Sequence, residues 1–132
     1  IEIGTVAVRK TPAAIADPLF AELPDVFHAQ AVHRQSAVRL PPGAECLARN
    51  DFEPHHAFRV GEAAWGVQFH PELDASAMRG YIRHLADALR SDGADPEALA
   101  RTVIDTPAAA AILARFGRFV MERAKECQDI DI

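Results

Sequence analysis

His70 and Glu72 stand two residues apart in "AAWGVQFHPELDAS", residues 63–76, with Pro71 between them. Side chains two apart on an extended segment point the same way, about 6.5–7 Å apart along the backbone. Pro71 fixes its own φ and biases His70 towards extended geometry. The carboxylate can then hold one imidazole nitrogen while the other faces outward, which is the base-plus-orienter half of a nucleophilic triad. A lone His-x-Glu pair also describes a surface ion pair or a loop histidine satisfied by its neighbours, and spacing alone does not choose among these.

The element that delivers His70 is the apolar, β-prone run Trp65–Phe69. A βα loop at a strand's carboxyl end is where open α/β sheets place ligands. "AFRVGEAAWGVQF", 57–69, reads as two strands around Gly61-Glu62. Upstream, "IGTVAV" (3–8), "DVFHAQAVH" (25–33) and "AECLARN" (44–50) read as strands, and "SAVRL" (36–40) as an extension of the second. "PPG" (41–43) reads as a turn, and 10–24 as irregular structure with one helical turn around Pro18–Glu22. Trp65, Val67 and Phe69 are expected in the core.

From Asp74 the period changes. Met78, Tyr81, Ile82, Leu85 and Leu89 form one helical stripe, capped by Asp74 or Ser76 and followed by Gly93. Asp95-Pro96 and Thr106-Pro107 mark two further helix starts. The last helix has its stripe at Ala109, Ile112, Leu113, Phe116, Phe119 and Val120. Strands come first and three helices follow.

The 132 residues, 49% of them hydrophobic, suit a single domain with a core. A formal charge of −5 argues against a nucleic-acid or anionic-membrane surface. No apolar run approaches a membrane span, and no signal peptide is seen, so the expected location is cytoplasmic. Arg115, Arg118, Arg123 and Lys125 are expected to form a solvated face. The chain starts in the middle of a strand at Ile1, a hint that sequence upstream is missing.

"GVQFHPE" resembles the terminal catalytic motif of class I (triad-type) glutamine amidotransferases. "EIGTVAV", "DPLFAELPDVFHAQAVH", "LPPGAECLA" and "AFRVGEAAWGVQFHPE" follow in the order of GMP-synthetase-like amidotransferase domains. The resemblance covers roughly the first half of the chain, to Glu72. It implies an α/β, flavodoxin-like fold, of which this chain is the carboxyl-terminal part: a mixed sheet followed by closing helices. Residues 1–132 are then one partial domain, strand-rich over 1–72 and helical over 73–132. The implied reaction is hydrolysis of glutamine, or a γ-glutamyl amide, to glutamate and ammonia through a Cys-His-Glu triad. His70 is its base and Glu72 its orienting carboxylate, with no metal or other cofactor needed.

The resemblance also expects the nucleophile on a G-x-C-x-G turn. Cys46, in an apolar strand-like setting, and Cys127, in the last charged helix, do not match, so the nucleophile is expected upstream of Ile1. By itself the chain is expected to be inactive. His33, Arg34 and Gln35 fall where the family's W/S-H-x-D-like segment helps hold glutamine, with Gln35 in place of the aspartate. The neighbours His55 and His56 point to opposite faces of an extended segment, so both cannot easily ligate one ion; they read as a polar loop, with no metal assigned. A synthetase partner subunit, a free-standing γ-glutamyl amide hydrolase and self-association all stay open. So does a non-catalytic amidotransferase-like binding or scaffold module.

Overall fold

A computed structural model of the chain describes residues 1–130. Five strands, β1 (Glu2–Lys10), β2 (Val26–His33), β3 (Ala44–Arg49), β4 (Ala57–Val60) and β5 (Ala64–Val67), form one sheet in the order β2-β1-β3-β4-β5. All four ladders are antiparallel, so these residues supply the hairpin part of the expected sheet. The β1–β2 ladder runs from Glu2 opposite His33 to Arg9 opposite Val26. β1 meets β3 only through Arg9 and Lys10, opposite Arg49 and Ala48, and the β3–β4 register shifts between Cys46 and Ala48. Short overlap and a bulge both increase twist, and the sheet curls.

The curl brings the two edges together. Beyond β5, Gln68 N–H still donates to the His56 carbonyl at 2.8 Å, next to β4, but His70 N–H donates to the carbonyl of Gln30 in β2, also at 2.8 Å. Residues 68–70 thus cross from one edge of the sheet to the other. "SAVRL" does not extend β2: residues 36–40 form no strand, and Val38 is exposed.

The expected helical turn around Pro18–Glu22 is present as a turn over 18–22, closed by Ala21 N–H donating to the Asp17 carbonyl at 3.0 Å, and a 3-10 turn over Pro12–Ala16 precedes it. Asp17 holds the turn. It is fully buried, its Oδ1 accepts from the N–H groups of Leu19 (2.9 Å) and Phe20 (3.1 Å), and its Oδ2 accepts from Arg59 (2.7 Å) and Trp65 Nε1 (3.0 Å). A carboxylate that takes the free N–H groups at the start of a helical turn caps it.

The helices are α1 (Ala75–His84), α2 (Ala86–Ser91), α3 (Pro96–Thr102) and α4 (Pro107–Ile130). The single stripe expected from Met78 to Leu89 is two helices that bend at Leu85, where ψ is 10°. Hydrogen bonds run through the bend, from Leu85 N–H to Tyr81 and from Leu89 N–H to Leu85, so Met78, Ile82 and Leu89 stay buried on one side. Tyr81, at the stripe's margin, is exposed. Asp74 caps α1 by accepting from Ala77 N–H at 2.7 Å, and Asp95 caps α3 through Ala98 N–H at 3.1 Å.

Two apolar cores result. Val8, Phe20, Phe27, Leu47, Phe69 and Ile112 pack between sheet, 11–23 segment and α4. Ile3, Met78, Ile82, Leu89 and Val103 pack between the other end of β1 and α1–α3. The apolar stripe of α4 outruns the first core: Ala109 and Ile112 are buried, but Leu113, Phe116 and Val120 are not. Trp65 and Val67 also fall short of full burial; Trp65 packs edge-on against Phe119 of α4 at 5.0 Å, and Val67 is exposed at the sheet edge.

Candidate active site at the end of the fifth strand

Three backbone constraints set His70. Its N–H is held by Gln30 of β2, Phe69 before it is anchored in the core with its ring 5.8 Å from that of Phe27, and Pro71 follows. The turn closes with Leu73 N–H donating to the His70 carbonyl at 3.3 Å, and Asp74 then caps α1. His70 therefore sits in a short strand-to-helix connection fixed at both ends.

His70 Nδ1 lies 2.7 Å from Glu72 Oε1. Partial burial pushes the Glu72 carboxyl up, but the His70 hydrogen bond, a backbone hydrogen bond and the imidazole's charge together hold it below the usual carboxylate range. A carboxylate can only accept, so Nδ1 carries the hydrogen and the neutral ring leaves its lone pair on Nε2. Nε2 makes no hydrogen bond among the described residues, and the His70 side chain is 37% exposed. The pair is a base with an oriented, reachable nitrogen.

Sequence reasoning did not single out Gln30, which fixes this arrangement from behind. Gln30 is fully buried; its Nε2 donates to the Ile104 carbonyl at 2.6 Å and its Oε1 accepts from Thr5 Oγ1 at 3.0 Å. Thr5 Oγ1 in turn accepts from Ile104 N–H at 3.1 Å. β1, β2 and the segment before α4 are locked behind the carbonyl that holds His70. The signal was present as a lone amide inside the apolar run "FHAQAV".

The other expected site residues are engaged inside the fold. His33, at the end of β2, turns Nε2 onto Glu2 Oε2 at 2.7 Å, and its side chain is 6% exposed. Arg34 reaches Asp92 at 3.2 Å, and Gln35 is exposed, with its carbonyl 3.0 Å from His33 Nδ1. The side chains of His33 and Arg34 therefore have partners other than the His70–Glu72 pair. His55 and His56 diverge, though from a turn before β4 and not from an extended segment: His55 Nδ1 pairs with the Ala37 carbonyl, whereas His56 is fully buried near Glu2.

Neither cysteine is set up as a nucleophile. Cys46 lies in β3 with its thiol 3.4 Å from the Pro54 carbonyl, and burial pushes that thiol up from its ordinary value. Cys127 lies exposed near the end of α4. Both differ from the strand-to-helix position that a triad nucleophile occupies.

Residues 3–86 match the family model described as Glutamine amidotransferase class-I. Over 71 residues, 52% of this chain and 23% of the relative, the sequence is 39% identical to a gamma-glutamyl-L-1-hydroxyisopropylamide hydrolase of a Pseudomonas species. Over 42 residues, 31% of this chain and 8% of the relative, it is 48% identical to a glutamine-hydrolysing GMP synthase of Porphyromonas gingivalis. The fold superposes on the crystal structure of a glutamine amidotransferase from Thermotoga maritima with a TM-score of 0.62 and 28% identity, covering 92% of this chain and 50% of that one. This chain thus spans half the length of that structure and less than a quarter of the two curated relatives.

Proposed function

The chain belongs to the class I glutamine amidotransferase family, and on that premise we propose that His70 and Glu72 are the base and orienting carboxylate of a Cys-His-Glu triad that hydrolyses glutamine. The cysteine is supplied from outside residues 1–132. His70 Nε2 draws the thiol proton, the thiolate attacks the substrate's carboxamide carbon, and the C–N bond breaks as His70 returns the proton to the leaving ammonia. Water, deprotonated by the same nitrogen, then cleaves the thioester and releases glutamate. Glu72 keeps the proton on Nδ1 and stabilises the imidazolium formed in each half-reaction. The observation that carries this reading is the 2.7 Å His70–Glu72 bond, held so that Nε2 faces outward.

A second reading keeps the acyl half and changes the leaving group. The stretch shared with the γ-glutamyl amide hydrolase, 71 residues, is longer than the 42 shared with the GMP synthase. Gln35 also stands in place of the aspartate of the GMP-synthetase pattern. A γ-glutamyl amide then replaces glutamine, and an amine leaves in place of ammonia. With glutamine as substrate, a synthetase partner subunit receives the ammonia.

Both readings meet one test. The full-length protein is treated with an electrophilic glutamine analogue and its intact mass and peptide map are measured. The expected result is one adduct on a cysteine other than Cys46 and Cys127, formed at least about 100-fold more slowly in His70→Ala. No adduct, or one whose rate ignores His70, identifies a non-catalytic binding module. Release of glutamate from glutamine or from γ-glutamyl alkylamides then separates the two substrates.

A further inference from the structure

Apart from the His70–Glu72 pair, three buried side chains from separate segments converge at the open end of the β1–β2 ladder. Glu2 and His33 are register partners there, and the loop after β3 brings His56 against them. Glu2 Oε2 lies 2.7 Å from His33 Nε2 and 3.1 Å from His56 Nε2.

With both imidazoles neutral, the donors and acceptors at this cluster do not match. His33 Nδ1 faces the Gln35 carbonyl, which can only accept, so that nitrogen carries the hydrogen. In the neutral ring the Nε2 lone pair then points at a carboxylate oxygen. His56 raises the same problem. Its ring is fully buried, its Nε2 faces the same oxygen without the alignment of an N–H bond, and its Nδ1 has no partner.

We propose that Glu2, His33 and His56 together bind one divalent cation of the zinc type, as a structural site tying the start of β1, the end of β2 and the 50–56 loop. One atom from each residue lies within 4.8 Å of the others. Two imidazoles and a carboxylate suit zinc, cobalt or nickel, whereas magnesium and calcium demand mostly oxygen ligands. Zinc ligands at about 2.0–2.2 Å put tetrahedral neighbours roughly 3.3 Å apart, so His33 must draw back from Glu2 by about 0.6 Å and His56 by about 0.2 Å. The surroundings match those of a metal-bound histidine: the Gln35 carbonyl orients His33, and Asn50 Nδ2 donates to Glu2 Oε1 at 2.6 Å. His55 is turned away to Ala37 and stays outside the site.

The test titrates the chelator-treated full chain with cobalt and then zinc, following bound metal and the visible bands of four-coordinate cobalt. One equivalent is expected, with the bands, and zinc should raise the melting temperature. Glu2→Gln and His56→Gln, each checked for folding by circular dichroism, should weaken binding by more than the roughly 10–100-fold that an outer-shell change costs, and His55→Gln should not. Uptake below stoichiometry, or uptake that survives both substitutions, overturns the site. An imidazolium proton would then supply the missing charge.

Discussion

The His70–Glu72 bond is short and local, yet it decides which nitrogen of the ring can act. Glu72→Gln leaves an acceptor near Nδ1 but removes the charge that stabilises imidazolium and admits the wrong tautomer. In the full-length protein kcat should fall by about 10²–10⁴, less than in His70→Ala, as for orienting carboxylates in other triads. The pH dependence of the pair has a definite sign. The folded carboxyl of Glu72 lies below its unfolded value near 4.5, so the interaction is present above that value and is lost as pH falls through the lower folded one. An NMR titration of the Glu72 carboxyl should show a midpoint below 4.5 that rises in His70→Ala. Asp17 makes a different kind of bond set, wholly buried and satisfied by two backbone donors, Arg59 and Trp65. Asp17→Ala takes the acceptor from Leu19 N–H, Phe20 N–H, Trp65 Nε1 and one Arg59 nitrogen, and should cost roughly 3–5 kcal/mol, read as a lower urea midpoint with unchanged slope.

The β4–β5 hairpin carries His70 to its place, and its critical position is a glycine. Gly66 lies opposite Phe58, and a Cβ added there would sit 2.5 Å from the Phe58 ring. The close atoms are the tip of the half-buried Phe58 ring, so relief requires that ring to swing away from its place over β5. Gly66→Ala should destabilise the protein by about 1–3 kcal/mol and also slow labelling by the glutamine analogue, because β5 leads straight into 68–70. Adding Phe58→Leu should recover much of both losses; stability recovered without reactivity would mean that β5 does not position His70. Helix starts, marked by Asp74, Asp95 and Thr106-Pro107, were legible in the sequence because caps are local chemistry. The 3-10 turn at 12–16 and the bend at Leu85 were not. The first is too short, at five residues, to carry a period of its own, and the second leaves the apolar stripe almost unchanged.

Across the whole molecule, the same division holds for the site. His70 and Glu72 could be read directly because they are near neighbours in sequence, although they meet across a turn, closed by Leu73 N–H on the His70 carbonyl, and not along an extended segment. Gln30 and the Glu2–His33–His56 cluster could not, because they exist only once the β1–β2 register and the curl of the sheet bring distant segments together. The same reasoning bears on what residues 1–132 do alone. They contain the proposed base and orienter, and two cysteines away from a strand-to-helix turn. The Cys46 thiol is turned to the Ala48 and Pro54 carbonyls in β3, and burial holds it in the protonated form that cannot attack an amide. Loss of the nucleophile from a comparable triad costs on the order of 10⁶ in turnover. The isolated polypeptide of residues 1–132 should therefore release glutamate from glutamine no faster than buffer does, and Cys46→Ser should change nothing. A glutaminase rate above background that vanishes in Cys46→Ser would place the nucleophile in β3 and would require the sheet to open around it.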